Sequence, residues 1–198
     1  MELVYILQAL WIVLPVYLAN ALAVIVGGGK PIDGGRTFKD GKRLLGDGKT
    51  WRGLFFGTFL GMTGGFGLTV AARTINASAL GAVNLNLFLG APWNIIILFS
   101  LCFGGLLGDI VESFFKRRIG KNRGDNWFVF DQLDFIIGAL AFSFLISILI
   151  QPFTKINWFL ESLTIWHILI ILLLTPLLHV ITNLVFRKTK QKATEPQN

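Results

Sequence analysis

An all-α membrane protein that crosses the bilayer repeatedly is the fold class this sequence predicts, on three observations. Apolar residues make up 54% of the 198-residue chain and fall into long blocks. Each block is close to the roughly 20 residues that a helix needs to cross a hydrocarbon core. Repeated strands alternating apolar and polar side chains are not visible, so the spans must satisfy their backbones as helices. Finally, 16 of the 18 Lys and Arg residues gather in the segments on one side of these blocks.

The blocks place about five spans near 3–26, 53–72, 93–111, 133–151 and 163–186, as one transmembrane domain over 1–186, with a polar, basic, flexible tail at 187–198. The first block has no basic leader, and Gly27-Gly28-Gly29-Lys30 after Val26 is unlike a small-residue cleavage site, so it reads as an anchor. The second carries Gly53, Gly57, Gly61 and Gly65, a bare stripe on which another helix can pack closely. Gly104 and Gly108 form a similar pair in the third, which continues through Asp109 and Glu112 toward the interface. The fourth opens at Asp131 and Asp134. The fifth is rich in Leu and Ile, with Thr175-Pro176 as an expected kink. His167 and His179 lie on different faces of it and read as structural or interfacial, while Trp158 and Phe159 read as an interfacial aromatic belt.

Charge sets the orientation: the N-terminus outside and the C-terminus cytoplasmic, with 27–52, 112–132 and 187–198 on the inner side and Arg73 and Lys155 outside. Basic residues placed beside spans point to anionic lipid and small anionic substrates in the membrane bilayer, and away from nucleic acid. Cys102 is the single cysteine, which excludes a disulfide framework and a thiolate metal site. Oligomeric state, including a homodimer, is left open.

The inner loops carry the chemistry. Segment 27–52 combines glycines with Lys30, Arg36, Lys42, Arg43 and Lys49, and ends in Lys49-Thr50 before a helix start. Flexible backbone amides and cations in one loop suit an anion, and a helix N-terminus adds to this. P-loop spacing is absent, and the same composition also describes a solvated basic loop. At the end of the third span, Asp109, Glu112, Ser113 and Lys116 fall at i, i+3, i+4 and i+7, hence on one helix face. Such a face could hold a metal beside a phosphate, or neutralise itself as an ion-pair ladder. Asp131 and Asp134 also share a face; capping would explain Asp131 and leave Asp134 without a role. Carboxylates at span ends suit magnesium, which takes a few carboxylates together with water and substrate phosphates.

Gly108-Asp109, Ser113-Phe114-Phe115-Lys116-Arg117 and Asp131-Gln132-Leu133-Asp134, preceded by Lys49-Thr50-Trp51-Arg52-Gly53, resemble the hallmark motifs of the membrane-embedded CTP-dependent cytidylyltransferases of phospholipid synthesis. The short connection between the two motifs and the 31–46 loop resemble the archaeal branch of that family, the CDP-archaeol synthases. The resemblance implies transfer of CMP from CTP to an isoprenoid glycerol phosphate lipid, 2,3-bis-O-geranylgeranyl-glycerol 1-phosphate, with release of pyrophosphate. It implies Asp109, Lys116, Asp131 and Asp134 as catalytic residues. Asp109, Glu112, Asp131 and Asp134 would hold Mg2+, with room for a second cation. Lys49, Thr50, Ser113, Arg117, Arg36, Lys42 and Arg43 would contact substrate. It implies a multi-pass cell-membrane protein with its active site on the cytoplasmic side.

Other classes fit less well. A CDP-alcohol phosphatidyltransferase would need Gly and Arg after the aspartate pair, and Phe135 follows instead. A transporter or sensor for an anionic nucleotide or lipid headgroup predicts polar residues across the midplane and repeated halves, and neither is visible. The same transfer to a diacyl lipid phosphate remains the alternative within the reaction class.

Overall fold

The computed structural model describes residues 2–78, 80–121, 127 and 130–178, and every structural statement below concerns these. His179, Arg123, the rest of 122–126, the 179–186 end of the fifth apolar block and the 187–198 tail lie outside them. The helices are α1 (Glu2–Val26), α2 (Trp51–Asn76), α3 (Trp93–Arg118), α4 (Phe130–Thr154), the short α5 (Trp158–Ser162) and α6 (Ile165–Leu178). Helices α1 to α4 are long and apolar enough to cross a membrane. Among the described residues only isolated β-bridges occur, both in the loop between α1 and α2.

Three helix ends depart from the sequence expectation, each for a local reason. Helix α2 starts at Trp51 rather than 53 because the Thr50 hydroxyl caps it, accepting from Gly53 N at 3.1 Å. Helix α3 runs past 111 to Arg118; Lys116, Arg117 and Arg118 in its last turn offset the negative end of the helix dipole. Helix α4 starts at Phe130, before 133, with Asp131 in the first turn where the dipole favours an acid. The helix of the fifth block begins at Ile165, two residues after the expected 163, because Leu163 is extended after the short α5 that precedes the block. Trp158 and Phe159 do not form an interfacial belt. They are 2% and 8% exposed, and the Trp158 indole N–H donates to Asn86 Oδ1 at 3.2 Å. An internal partner lets the indole be buried instead of seeking the headgroups.

Small residues set how the helices pack. A Cβ at Gly57 would lie 3.0 Å from Ala19 O, and one at Gly61 would lie 2.8 Å from Pro15 O, so the α2 stripe lies directly on α1. Helices α3 and α4 meet in the same way: a Cβ at Gly138 would lie 2.6 Å from Gly108 Cα. Around these crossings Ile12, Val13 and Val16 of α1 pack with Ile97, Leu98 and Leu101 of α3 and with Phe135 and Ile136 of α4. Two polar pairs tie helices together through the apolar interior. Tyr17 and Thr175 hydroxyls lie 2.7 Å apart. His167 Nδ1 accepts from Thr164 N at 3.1 Å, so its Nε2–H donates to Gln8 Oε1 at 3.1 Å. His167 is therefore structural.

Candidate active site

The loop from Gly27 to Thr50 is an ordered hairpin. Ile32 N donates to Lys49 O at 2.8 Å and Phe38 N to Lys42 O at 2.8 Å, with bridges pairing Pro31 with Thr50 and Thr37 with Arg43. Asp33 is its organiser. Its carboxylate is buried and accepts from Gly35 N, Leu45 N and Gly46 N, each at 3.0 Å, and from Arg43 Nη2 at 3.0 Å and Nε at 3.2 Å. Burial alone would raise its pKa, but the Arg43 guanidinium and these backbone N–H groups outweigh burial and hold the carboxyl well below the usual carboxylate range.

Arg118 fastens the hairpin to the end of α3. Its Nη1 donates to Asp40 Oδ1 at 2.7 Å, its Nη2 to Arg43 O at 2.5 Å, and its guanidinium lies over the rings of Phe38 and Phe114 at 4.9 and 5.0 Å. This clamp sets the hairpin against α3, and Lys49 Nζ reaches Asp109 Oδ2 at 2.5 Å.

Carboxylates converge beneath the hairpin. Asp109 and Glu112 stand one turn apart on α3, and the glycine crossing at Gly108 and Gly138 brings Asp134 of α4 beside them. One oxygen from each of the three lies within 4.8 Å of the others. Glu112 Oε1 is buried with no hydrogen-bond partner, and its nearest cation, Lys116 Nζ, is 3.9 Å away. Three acids this close repel unless a cation lies among them. Hard oxygen donors, one of them buried and unsatisfied, fit a magnesium-like divalent ion. Asp131 lies beside this group, within hydrogen-bonding reach of Glu112, while its Oδ1 takes Lys116 Nζ at 2.6 Å and its Oδ2 takes Trp127 N at 2.8 Å.

These acids line a polar cavity of ≈ 460 Å³ together with Lys49, Ser113, Lys116, Arg117, Asp131 and Asp47. An apolar groove of ≈ 550 Å³ runs between α3 and α4, along Leu107, Val111, Ile137, Phe142 and Leu145. It shares Glu112 and Asp134 with the polar cavity, so the acids sit where the two join.

Not every residue expected in the site lines this cavity. Lys42 and Arg43 line a neighbouring basic cavity, with Arg117 common to both. Arg36 is exposed on a separate cavity with Lys30 and Trp51. Thr50 is used as the α2 cap and borders only a narrow crevice beside Lys49 and Asp109. Sequence reasoning missed Asp33, Asp47 and Arg118. Asp33 had a local signal, since Asp before Gly-Gly favours an Asx turn, and Gly35 N does bond to it. The partners of Arg118 lie far away in sequence.

Fold and site together define a polytopic, all-helical membrane enzyme with an ionic centre at the ends of two spans. A family model for CarS-like CDP-archaeol synthase matches residues 1–194. The CDP-archaeol synthase of Methanosarcina barkeri is 43% identical over 174 residues, covering 87% of this chain and 93% of the relative. That of Methanococcoides burtonii is 45% identical over 173 residues with the same coverage. A solved structure of an intramembrane enzyme for archaeal membrane lipids biosynthesis matches with a TM-score of 0.68 at 31% identity, covering 90% of this chain and 94% of that one. The chain belongs to the CDP-archaeol synthase family.

Proposed function

We propose that the protein transfers CMP from CTP to the phosphate of an isoprenoid glycerol lipid, 2,3-bis-O-geranylgeranyl-glycerol 1-phosphate, giving CDP-archaeol and pyrophosphate. The observation that carries this reading is the junction at Glu112 and Asp134, where an ionic cavity for phosphates meets an apolar groove of the kind an isoprenoid chain would occupy. Family membership supports the nucleotide and the ether lipid.

A lipid-phosphate oxygen attacks the α-phosphorus of CTP, and the bond from that phosphorus to the bridging oxygen breaks as pyrophosphate leaves. The attacking group is already anionic near neutral pH, so alignment and charge neutralisation carry the rate rather than a general base. Lys49, Lys116 and Arg117 border the cavity and would offset phosphate charge. Asp131 would orient Lys116 through their 2.6 Å contact, and Ser113 would hydrogen-bond a phosphate. Asp109, Glu112 and Asp134 would hold magnesium, which supplies positive charge to the reacting phosphates when bound. The concentration of basic residues on the site's side supports a cytoplasmic active site and an N-terminus outside.

The test is magnesium-dependent pyrophosphate release from CTP by the detergent-purified protein, comparing diether and diacyl lipid phosphates, with Asp134→Asn as control. Release that needs lipid, favours the diether and is lost in the variant is expected. A diacyl preference would overturn the acceptor. No release with either lipid from folded protein would overturn the transferase reading.

A further inference from the structure

The base of the hairpin borders a cavity of ≈ 600 Å³ that the candidate active site does not use. Lys30, Ile32, Arg36, Leu44 and Trp51 line it, and it shares no lining residue with the polar cavity or the apolar groove. Its acid, Asp33, is already engaged: the carboxylate accepts from Arg43 and from Gly35 N, Leu45 N and Gly46 N. Lys30 and Arg36 are exposed, and their side chains form no ion pair or hydrogen bond among the described residues. The cavity therefore presents two cations that no carboxylate offsets.

This cavity stands where two spans end. Lys30 follows closely on the last residue of α1, and Trp51 is the first residue of α2. The two are joined by Trp51 N donating to Lys30 O at 3.3 Å. The exposed Trp51 ring stacks on Phe55, one turn into the span, with centroids 5.8 Å apart and planes 15° from parallel. Phe55 and Phe59, again one turn apart, are exposed and carry the aromatic stripe along α2. On a helix that crosses a bilayer, such a stripe is covered by lipid chains. Its leading Trp then sits at headgroup level, and the Lys and Arg beside it reach the phosphates.

We propose that this cavity holds the phosphate of an anionic bilayer lipid whose chains run along Trp51, Phe55 and Phe59. Arg36 offers a planar fork to two phosphate oxygens, and Lys30 adds a compact charge with three donors. A lipid satisfies the cations and the aromatic stripe together, whereas a free phosphate would leave the stripe without a part in binding. The bound lipid would tie the hairpin base to α2, where Pro31 pairs with Thr50 beside Lys49.

Native mass spectrometry of the full-length protein in detergent, titrated with phosphatidylglycerol or phosphatidylcholine, tests this. Phosphatidylglycerol should bind more tightly, and Lys30→Gln/Arg36→Gln should weaken it about tenfold or more, with phosphatidylcholine binding unchanged. Arg52→Gln removes an exposed neighbouring cation that does not line the cavity, and should leave the phosphatidylglycerol affinity at the wild-type value. Single Lys30→Gln gives the same result at about fivefold if the double variant does not fold. Equal affinity for the two lipids would overturn the proposal. An equal loss in Arg52→Gln would also overturn it, since the attraction would then be diffuse charge at the membrane surface. Glycerol phosphate binding as tightly as phosphatidylglycerol, and weakening in the same variants, would overturn the lipid in favour of a soluble anion.

Discussion

Replacing Asp33 with alanine should open the hairpin and leave the helices in place. The wild-type carboxylate is fully buried as a side chain and accepts from three backbone N–H groups and from two nitrogens of Arg43. Hydrogen bonds to a charged group contribute about 1.5–3 kcal/mol each, and breaking a buried pair costs about 3–5 kcal/mol. The Arg43 side chain is 33% exposed and keeps Asp47 at 2.8 Å, so part of the loss is recovered by solvent and by that contact. The lower end, about 3 kcal/mol, then applies, and it is confined to the hairpin. That energy raises the open population about a hundredfold. Hydrogen exchange followed by mass spectrometry should show faster exchange of about that factor in peptides covering 30–49, with α3 and α4 unchanged. Transfer activity should fall as well, because Lys49 is no longer held against Asp109. Exchange in 30–49 equal to wild type would refute Asp33 as the organiser of the hairpin.

The same carboxylate fixes a pH dependence. Its folded pKa is held below the unfolded value of about 3.9, so its stabilisation is complete above that value and is lost as pH falls toward the folded one. Hairpin protection, corrected for intrinsic exchange, should stay flat from about pH 8 to 5 and decline only below about pH 4; a decline starting near pH 6 would contradict this. Arg118→Lys keeps the charge but loses the fork that joins Asp40 to the carbonyl of Arg43, so KM for CTP should rise about five- to tenfold with a smaller change in kcat. Equal loss in kcat and kcat/KM would assign Arg118 to the chemistry instead. Gly138→Val would place a Cβ 2.6 Å from Gly108 Cα, an overpacking worth about 1–3 kcal/mol; the detergent melting temperature should drop by about 2–12 °C. Asp134→Asn should cut turnover by about 10²-fold or more and weaken Mn2+ binding followed by electron paramagnetic resonance, while chelation of wild type should abolish activity and added magnesium restore it.

Sequence by itself determined the spans and the chemical character of the site. Apolar block length fixes where a chain can cross lipid, which is why the first four blocks appear as α1 to α4 within a few residues. Helical periodicity alone put Asp109, Glu112 and Lys116 on one face, and glycine spacing marked the surfaces that pack most closely. What failed were features whose cause lies elsewhere in the chain. Trp158 reads as interfacial from its own segment, but Asn86 gives its N–H an internal partner. Thr50 and Asp131 stay expected site residues, and to these roles the structure adds a helix cap for Thr50 and contacts with Lys116 and Trp127 for Asp131.

Tertiary structure alone decided which acids meet. Asp134 joins Asp109 and Glu112 because two backbones touch at Gly108 and Gly138, a contact between residues of different helices that no local pattern encodes. It likewise decided that Arg118 clamps a hairpin more than 70 positions away, since |i−j| is 78 for its bond to Asp40. Local patterns follow from the preferences of each residue and its near neighbours along the chain. Convergence of charge follows from which helix faces can be buried together, and that is a property of the packed molecule.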